Sequence, residues 1–219
     1  GGWKLNVEAK TGHSAGVFSE SAGFGAIYEA ARVINEFRTQ LANEKYLTFN
    51  AGLMSGGSEI KVDPSAAKVE AIGKTNIISP AAYVAGDLRF ISEVQRDQAR
   101  EKMRTIVSQS LNGTKSSISF TDGLPAMEPT EGNYRLVNFL DGVTKDMGIG
   151  TTKAGDPGSR GAGDISDIAK YVDSLDGMGA SGGGAHKPGE TINLKEFPYL
   201  IQRAAIMIYR LTRENAVVK

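Results

Sequence analysis

The order of amphipathic segments in residues 1–127 is the feature that most constrains the fold. Apolar and polar residues alternate from Trp3 to Ala9, the pattern of a half-buried strand. Apolar residues recur at helical spacing over 21–41 and again after Ser92, whose distance from Gln95 is that of a capping box. Three further segments have the apolar, turn-bounded character of strands: 46–57, 81–91 and 116–122.

The resulting order of strand, helix, strand, strand, helix and strand predicts a ferredoxin-like split βαβ domain. Such a domain has an antiparallel sheet with both helices on one face. We place its end at residue 127, because the segment 122–132 (DGLPAMEPTEG) has the composition of a linker. In the second helix, five apolar residues are predicted to face inward: Val94, Met103, Ile106, Val107 and Leu111.

Residues 128–219 have a different pattern, in which helices alternate with short strand-like segments. We predict helices over 133–147, 165–171 and 196–214, and strands at 148–154 and 171–179. This alternation indicates an α/β architecture. So few strands would leave sheet edges unpaired, which proteins avoid, and we expect the other half of this sheet to precede Gly1. The last helix is predicted to bury one apolar stripe: Phe197, Leu200, Ile201, Ala204, Ile208 and Leu211.

The composition argues against several classes of partner. The chain has 25 basic and 25 acidic residues, and a net charge of zero gives no reason to expect a nucleic-acid partner. No segment approaches the roughly 20 consecutive apolar residues of a membrane span, so we expect no membrane partner. The absence of cysteine excludes disulfides and thiolate metal sites and leaves the cellular location undecided.

One of the two histidines, His186, lies in a glycine-rich run (SGGGAHKPG). Glycine adds no buried side chain and costs backbone entropy, so such a run indicates that another group approaches the backbone. A lone histidine is more often structural than a metal ligand. However, His186 follows a predicted buried strand, where α/β sheets bind ligands. Metal ligation and a structural role both remain open on these features alone.

Two other candidates are ambiguous when taken singly. His13 lies in a glycine-containing loop after the first strand, where a solvated side chain is the simpler interpretation. Two histidines without cysteines cannot complete a closed zinc site of four ligands. Arg89, beside Asp87, is either half of a surface ion pair or a guanidinium that binds a substrate carboxylate. The glycine loops lack the Gly-Lys-Ser/Thr of a phosphate loop, which argues against a nucleotide site.

Taken together, four segments resemble the zinc-dependent metallopeptidase family of glutamate carboxypeptidases, aminoacylases, acetylornithine deacetylases and succinyl-diaminopimelate desuccinylases. The resemblance covers nearly the whole chain, and the four segments occur in the family's order. The matching segments and the functional positions in them are 5–16 with His13, 75–89 with Asn76 and Arg89, 158–169 with Gly161, Gly163 and Asp164, and 175–194 with His186.

The resemblance implies that residues 1–127 are a lid (dimerisation) domain and residues 128–219 the C-terminal part of an α/β catalytic domain. It implies a di-zinc exopeptidase that hydrolyses the amide bond of a peptide or N-acyl amino acid with a free carboxylate. His186 would be the one zinc ligand in this chain. The general base and the other ligands would lie in an N-terminal half that the chain lacks, so we expect this fragment alone to be inactive.

The resemblance also implies a homodimer formed through the lid. His13 would stabilise the oxyanion in the other subunit's site, Asn76 would hold the carbonyl region, and Arg89 would bind the substrate's carboxylate. Gly161 and Gly163 would line the substrate. The alternative is a non-catalytic dimerisation or ligand-binding protein built on a ferredoxin-like domain. The chain departs from the family pattern at Gly25, where asparagine is common, and at Ala162 within the catalytic glycine run.

Overall fold

The computed structural model describes residues 1–63, 67–159 and 161–214 of the chain. The chain divides into two compact units, the first comprising Gly1–Ala126 and the second beginning at Met127. No helix in the described ranges is both long and apolar enough to cross a membrane.

The first unit contains an antiparallel sheet of four strands and a separate two-stranded hairpin. The strands are β1 (Gly2–Ala9), β2 (Thr48–Gly57), β3 (Glu59–Asp63), β4 (Lys68–Ile72), β5 (Ala81–Arg89) and β6 (Thr114–Thr121). The sheet order is β2-β5-β1-β6, and β3 pairs with β4 to form the hairpin. This order is that of a ferredoxin-like split βαβ domain, which confirms the predicted fold class. The hairpin was not predicted from the sequence.

Two helices, α1 (Ala26–Leu41) and α2 (Glu93–Ser108), pack on one face of this sheet. The Trp3 ring meets the Phe37 ring edge to face, with 5.6 Å between centroids. Full burial of each large apolar side chain in such a core contributes about 1.5–3 kcal/mol. Sixteen buried apolar residues form one core: Trp3, Leu5, Val7, Ala26, Ala30, Val33, Phe37, Leu41, Leu47, Ala82, Val84, Leu88, Ala99, Met103, Ile106 and Val107.

The starts of the two helices agree with the sequence to different degrees. Ser92 caps α2 as predicted and accepts a hydrogen bond from the Gln95 amide at 3.1 Å. Val94 was predicted to face inward, but it is 65% exposed because it lies in the first turn, before the buried face begins at Ala99. Helix α1 begins five residues later than predicted, because Gly25 before it has φ 82° and ψ 157°, outside the helical region.

Glu29 is a fully buried carboxylate that joins α1 to the segment around β6. It accepts hydrogen bonds from Arg32 at 2.7 and 2.9 Å, from the Leu111 amide at 3.1 Å and from the Ser116 hydroxyl at 2.9 Å. Burial by itself would raise the pKa of Glu29. The hydrogen bonds from Arg32, Leu111 and Ser116 outweigh burial and hold this pKa below its ordinary value.

The second unit is built mainly on two helices, α3 (Glu131–Asp146) and α4 (Phe197–Glu214), which pack against each other. Thr130 caps α3 by accepting a hydrogen bond from the Asn133 amide at 3.1 Å. Among the described residues of this unit, three apolar residues form the buried centre: Leu140, Val143 and Met207. In the segment between the two helices, two strands of two residues each, β7 (Gly182–Gly183) and β8 (Thr191–Ile192), pair to form a hairpin.

Several predicted elements of the second unit are wrong in detail. The structure has no strand at 148–154 or 171–179, and the helix predicted at 165–171 is a 3-10 helix over Asp164–Asp167. A strand needs a neighbour to satisfy its backbone groups, and none is available there among the described residues. The predicted inward stripe of α4 is partly exposed at Phe197, Ile201 and Ile208. Of the predicted residues, Leu211 does pack against the centre of this unit, together with Ile206 and Met207, which were not predicted to do so.

Candidate functional site

His13 lies just beyond β1 and is held by the backbone segment that precedes β5. It forms an isolated antiparallel bridge with Ile77. The Ser14 amide donates to the Asn76 carbonyl at 2.9 Å, and the Ile78 amide donates to the Gly12 carbonyl at 2.8 Å. The structure therefore brings the His13 loop and Asn76 together at one end of the sheet. The Asn76 residue is exposed.

The orientation of the His13 imidazole is fixed by a local hydrogen bond. Nδ1 accepts from the Ala15 amide at 3.2 Å, which caps the 3-10 helix Ser14–Gly16. A ring nitrogen that accepts a hydrogen bond carries no proton, so in the neutral ring the proton is on Nε2. The exposed His13 side chain can thus donate a hydrogen bond from Nε2 to a group outside the loop.

Arg89 lies at the opposite end of the same sheet. It is the last residue of β5, where Gly2 of β1 pairs with Asp87, whereas Glu8 of β1 pairs with Ala81 at the other end. At about 3.3 Å per residue, Arg89 lies about 26 Å along the strand from Ala81. Within one protomer, the structure therefore does not bring Arg89 to His13.

The Arg89 side chain is 62% exposed and contacts Asp87 through Nε, at 2.9 Å from Oδ2. An exposed pair of this kind contributes about 0–1 kcal/mol to stability, so the ion pair costs little to break. A ligand carboxylate can therefore compete for the guanidinium.

In the second unit, the predicted glycine positions differ in their surroundings. Gly163 precedes the 3-10 helix, and its carbonyl accepts from the Ser166 amide at 3.0 Å. A Cβ on Gly163 would lie 2.8 Å from an Asp176 carboxylate oxygen, a contact that movement of the Asp176 side chain would relieve. A Cβ on Gly161 would meet no atom within 4 Å, so packing requires glycine at neither position.

His186 is exposed at the tip of the β7–β8 hairpin and has a left-handed backbone with φ 63°. Close pairing of the two short strands requires Gly182, because a Cβ there would lie 1.9 Å from the Thr191 carbonyl oxygen. The turn is closed by the Lys187 amide, which donates to Gly184 at 2.9 Å. The glycines therefore allow a tight hairpin that presents the imidazole at its tip.

The described ranges contain no cluster of three or more histidine, cysteine, aspartate or glutamate residues that could hold a metal ion. A catalytic zinc takes three protein ligands and a structural zinc takes four. His186 can supply one of them. The described part of the chain thus does not form a metal site by itself.

The loop that carries His13 and the first turn of α1 together hold an aromatic cluster that was not predicted from the sequence. The Phe18 ring lies 4.9 Å from the Tyr28 ring and 5.3 Å from the Phe24 ring, measured between centroids. Phe18 is 51% and Tyr28 is 53% exposed. The available signal was an aromatic residue, Phe18, inside a stretch of small and polar residues.

A family model described as a peptidase dimerisation domain matches residues 1–115. Among curated proteins, none matches the chain. The chain is similar in fold to aminopeptidase PepT from Bacillus cereus ATCC 10987, with 19% identity and a TM-score of 0.66 over 94% of this chain and 51% of that one.

Two further solved structures have a similar fold. A tripeptidase from Staphylococcus aureus subsp. aureus Mu50 is 18% identical, with a TM-score of 0.65 over 97% of this chain and 51% of that one. The YxeP protein of Bacillus subtilis, described as a dinuclear metal-binding peptidase from the M20 family, is 14% identical, with a TM-score of 0.63 over 94% of this chain and 48% of that one. The chain thus spans about half the length of the structures it matches.

Proposed function

The chain belongs to the M20 peptidase family through its dimerisation domain, and on this premise we propose that it is the lid and C-terminal catalytic segment of a di-zinc exopeptidase. Membership of the family suggests a metallopeptidase or amidohydrolase. The proposed reaction is hydrolysis of the amide bond of a peptide or N-acyl amino acid with a free carboxylate, as in glutamate carboxypeptidases. The observation that carries the proposal is the geometry of His13.

His13 is the proposed stabiliser of the tetrahedral oxyanion. Its Nδ1 is occupied by the Ala15 amide at 3.2 Å, so Nε2 presents a preorganised N–H donor. Donors fixed before the reaction stabilise developing negative charge without having to reorganise, and the loss of one typically lowers turnover about 10²–10³-fold. Asn76, whose backbone is tied to the same loop, supplies an amide to the carbonyl region.

Arg89 is the proposed binder of the substrate carboxylate, and its position requires a second subunit. Because Arg89 and His13 lie at opposite ends of the sheet, one small substrate can contact both only if they come from two protomers. The proposed active site therefore combines Arg89 of one subunit with His13 and Asn76 of the partner subunit. The dimerisation domain suggests a homodimer, and β2 at the sheet edge offers backbone groups for pairing.

The second unit would contribute a metal ligand and a substrate loop. His186, exposed at its hairpin tip, would ligate one of two zinc ions, with the other ligands from an N-terminal half of the catalytic domain. Zinc, when bound, would polarise the carbonyl and lower the pKa of a bound water. Because Gly161 and Gly163 have no side chains, they would let the substrate approach the backbone before the 3-10 helix. The description of the YxeP protein as a dinuclear metal-binding peptidase supports this assignment.

Two observations support the absence of half of the catalytic domain from this chain. The chain spans about half of its structural relatives, and α4 exposes Ile201 and Ile208 to solvent. In addition, the two ends of the first unit meet: Gly1 lies beside Asp122 and Gly123. A domain with adjacent ends can be inserted into another domain without long linkers.

The test uses the complete subunit, in which this chain is joined to the proposed N-terminal half. We expect about two zinc ions per subunit and turnover of N-acyl amino acids or dipeptides. His13→Ala should lower kcat about 10²–10³-fold and leave the zinc content unchanged. The matched control is His186→Ala, which should lower the zinc content. Unchanged turnover in His13→Ala would refute the oxyanion role.

A mixed dimer tests whether the site is shared. His13→Ala and Arg89→Ala homodimers should both be nearly inactive. A heterodimer of the two has one site with both residues intact, and should regain about half of the wild-type turnover. Absence of recovery would refute the shared site. Neither zinc nor turnover in the unsubstituted subunit would favour the alternative, a non-catalytic dimerisation or ligand-binding protein.

A further inference from the structure

The aromatic cluster comprises Phe18 and Phe24, in the loop between His13 and α1, and Tyr28, in the first turn of α1. The Phe18 and Tyr28 rings meet edge to face at 4.9 Å, and the Phe18 and Phe24 rings are tilted at 5.3 Å. About half of the Phe18 and Tyr28 surfaces is open to solvent. Aromatic rings that contact each other yet remain exposed provide apolar surface for a ligand.

Phe18 has an unusual backbone for a bulky residue, with φ 71°. Left-handed conformations are uncommon for non-glycine residues, and outliers tend to occur at binding and catalytic sites. The conformation is fixed by backbone hydrogen bonds: the Phe18 amide donates to Gly23 at 2.8 Å, and the Phe24 amide donates to Asn112 at 3.1 Å. The Phe18 ring is therefore held in place by a loop of defined shape.

The same loop connects these rings to His13. The Gly16 amide donates to His13 at 3.0 Å, the Val17 amide to Ser14 at 3.1 Å, and the Ser19 amide to Gly16 at 3.1 Å. Phe18 is five residues from His13, and because a fully extended chain of that length spans at most about 18 Å, these turns hold the two residues closer than that. If a substrate contacts His13, one of its side chains can therefore reach the rings.

We propose that Phe18, Phe24 and Tyr28 form a specificity subsite that binds an apolar or aromatic side chain of the substrate. The proposal rests on the proposed function, because the rings reach a substrate only if His13 does. The cluster itself contains no charged side chain, so apolar substrates should be favoured over charged ones. An aromatic side chain gains most, because it can pack edge to face against the exposed rings.

The variant Phe18→Gly tests the subsite without imposing strain, because glycine adopts positive φ readily. In the complete dimeric subunit, kcat/KM is measured for two substrates that differ only in a phenylalanine or an alanine side chain. The unsubstituted enzyme should prefer the phenylalanine substrate, and Phe18→Gly should reduce that preference about tenfold. The matched control is Tyr46→Gly, since Tyr46 also has positive φ, at 66°, but lies outside this loop. It should leave the preference unchanged.

Several outcomes would overturn the subsite. One is an unsubstituted enzyme without preference for the phenylalanine substrate. Another is an equal preference in Phe18→Gly and Tyr46→Gly while both remain active. If Phe18→Gly instead separates the dimer in sedimentation analysis and its residual activity keeps the preference, the rings cover a subunit interface. Absence of all turnover in the unsubstituted enzyme would refute the proposed function, and the subsite with it.

Discussion

The two units of the chain bury their apolar residues to very different extents. In the first, sixteen buried apolar side chains lie between four strands and two helices. In the second, which has one amphipathic helix near each end, of 16 and 18 residues, the buried apolar centre among the described residues is Leu140, Val143 and Met207. Since burial of apolar surface is the main stabilising contribution to folding, the first unit has what it needs to fold alone. In the second unit, the exposed apolar side chains of α4 require another part of the protein to bury them.

The largest expected effect comes from separating the units. Residues 1–126 alone should unfold in one cooperative transition, because their core is complete. Residues 127–219 alone should show no cooperative transition and should bind a hydrophobic dye, because α4 exposes apolar side chains. Urea titration followed by circular dichroism measures the unfolding of each piece, and dye fluorescence measures the exposed apolar surface. Cooperative unfolding of residues 127–219 would contradict the comparison.

Glu29→Gln tests the polar network inside the well-packed unit. Removal of one partner from a buried ion pair leaves the other without compensation, so we expect a loss of about 3–5 kcal/mol in the free energy of unfolding. The control is Glu36→Gln on the same helix, where the side chain is hydrogen-bonded to Gln40 at the surface. That change should cost less than about 0.5 kcal/mol.

The same residue makes the first unit sensitive to acid. The pKa of Glu29 is lowered in the folded state, so its ionised form contributes stability above the unfolded pKa, about 4.3. This contribution is lost as the pH falls through the folded value. The wild-type free energy of unfolding should therefore decrease between about pH 6 and pH 3 by more than that of Glu29→Gln. Parallel pH profiles would refute the assignment.

Two glycine substitutions, one in each unit, should change the free energy of unfolding in opposite directions. Gly25 before α1 has φ 82°, and a Cβ there would lie 2.7 Å from Ile78, so Gly25→Ala should cost about 1–3 kcal/mol. Gly142 within α3 has open space around a Cβ, so Gly142→Ala should stabilise the helix by about 0.5–1 kcal/mol. Thermal unfolding of the chain measures both. The same sign for the two variants would contradict this expectation.

The smallest expected effect is at the exposed face of α4. Ile208 is 64% exposed, so Ile208→Gln in this chain should change the free energy of unfolding by less than about 0.5 kcal/mol. In the complete subunit, the buried control Leu140→Ala should cost about 2–5 kcal/mol. In the complete subunit, Ile208→Gln should become clearly destabilising. An equally small effect there would mean that the proposed N-terminal half does not cover this face.

The fold of the first unit was predictable because its periodic segments and their order agree with one topology. The start of α1 was misplaced by five residues, since helical spacing extends back to Ser21 although the backbone of Gly25 lies outside the helical region. The β3–β4 hairpin was missed because Glu59–Asp63 and Lys68–Ile72 are short and mostly exposed. Local sequence therefore predicted the elements with a buried face better than the exposed ones.

In the second unit, the periodicity of α4 was visible but its partner was not. An apolar stripe shows which face a helix can bury, not what covers it. Similarly, the sequence placed His13, Asn76 and Arg89 in one set. It could not show that the length of β5 separates Arg89 from the other two. That separation depends on strand register, which is set by the three-dimensional pairing.

Trp3 has a practical consequence for all these measurements. It is the chain's single tryptophan and lies at the centre of the first unit's core, against Phe37. Its fluorescence, excited at the red edge of the absorption band, will report the environment of that core alone. Emission and far-ultraviolet dichroism recorded on the same sample will therefore separate the melting of one half from that of the other, without any label.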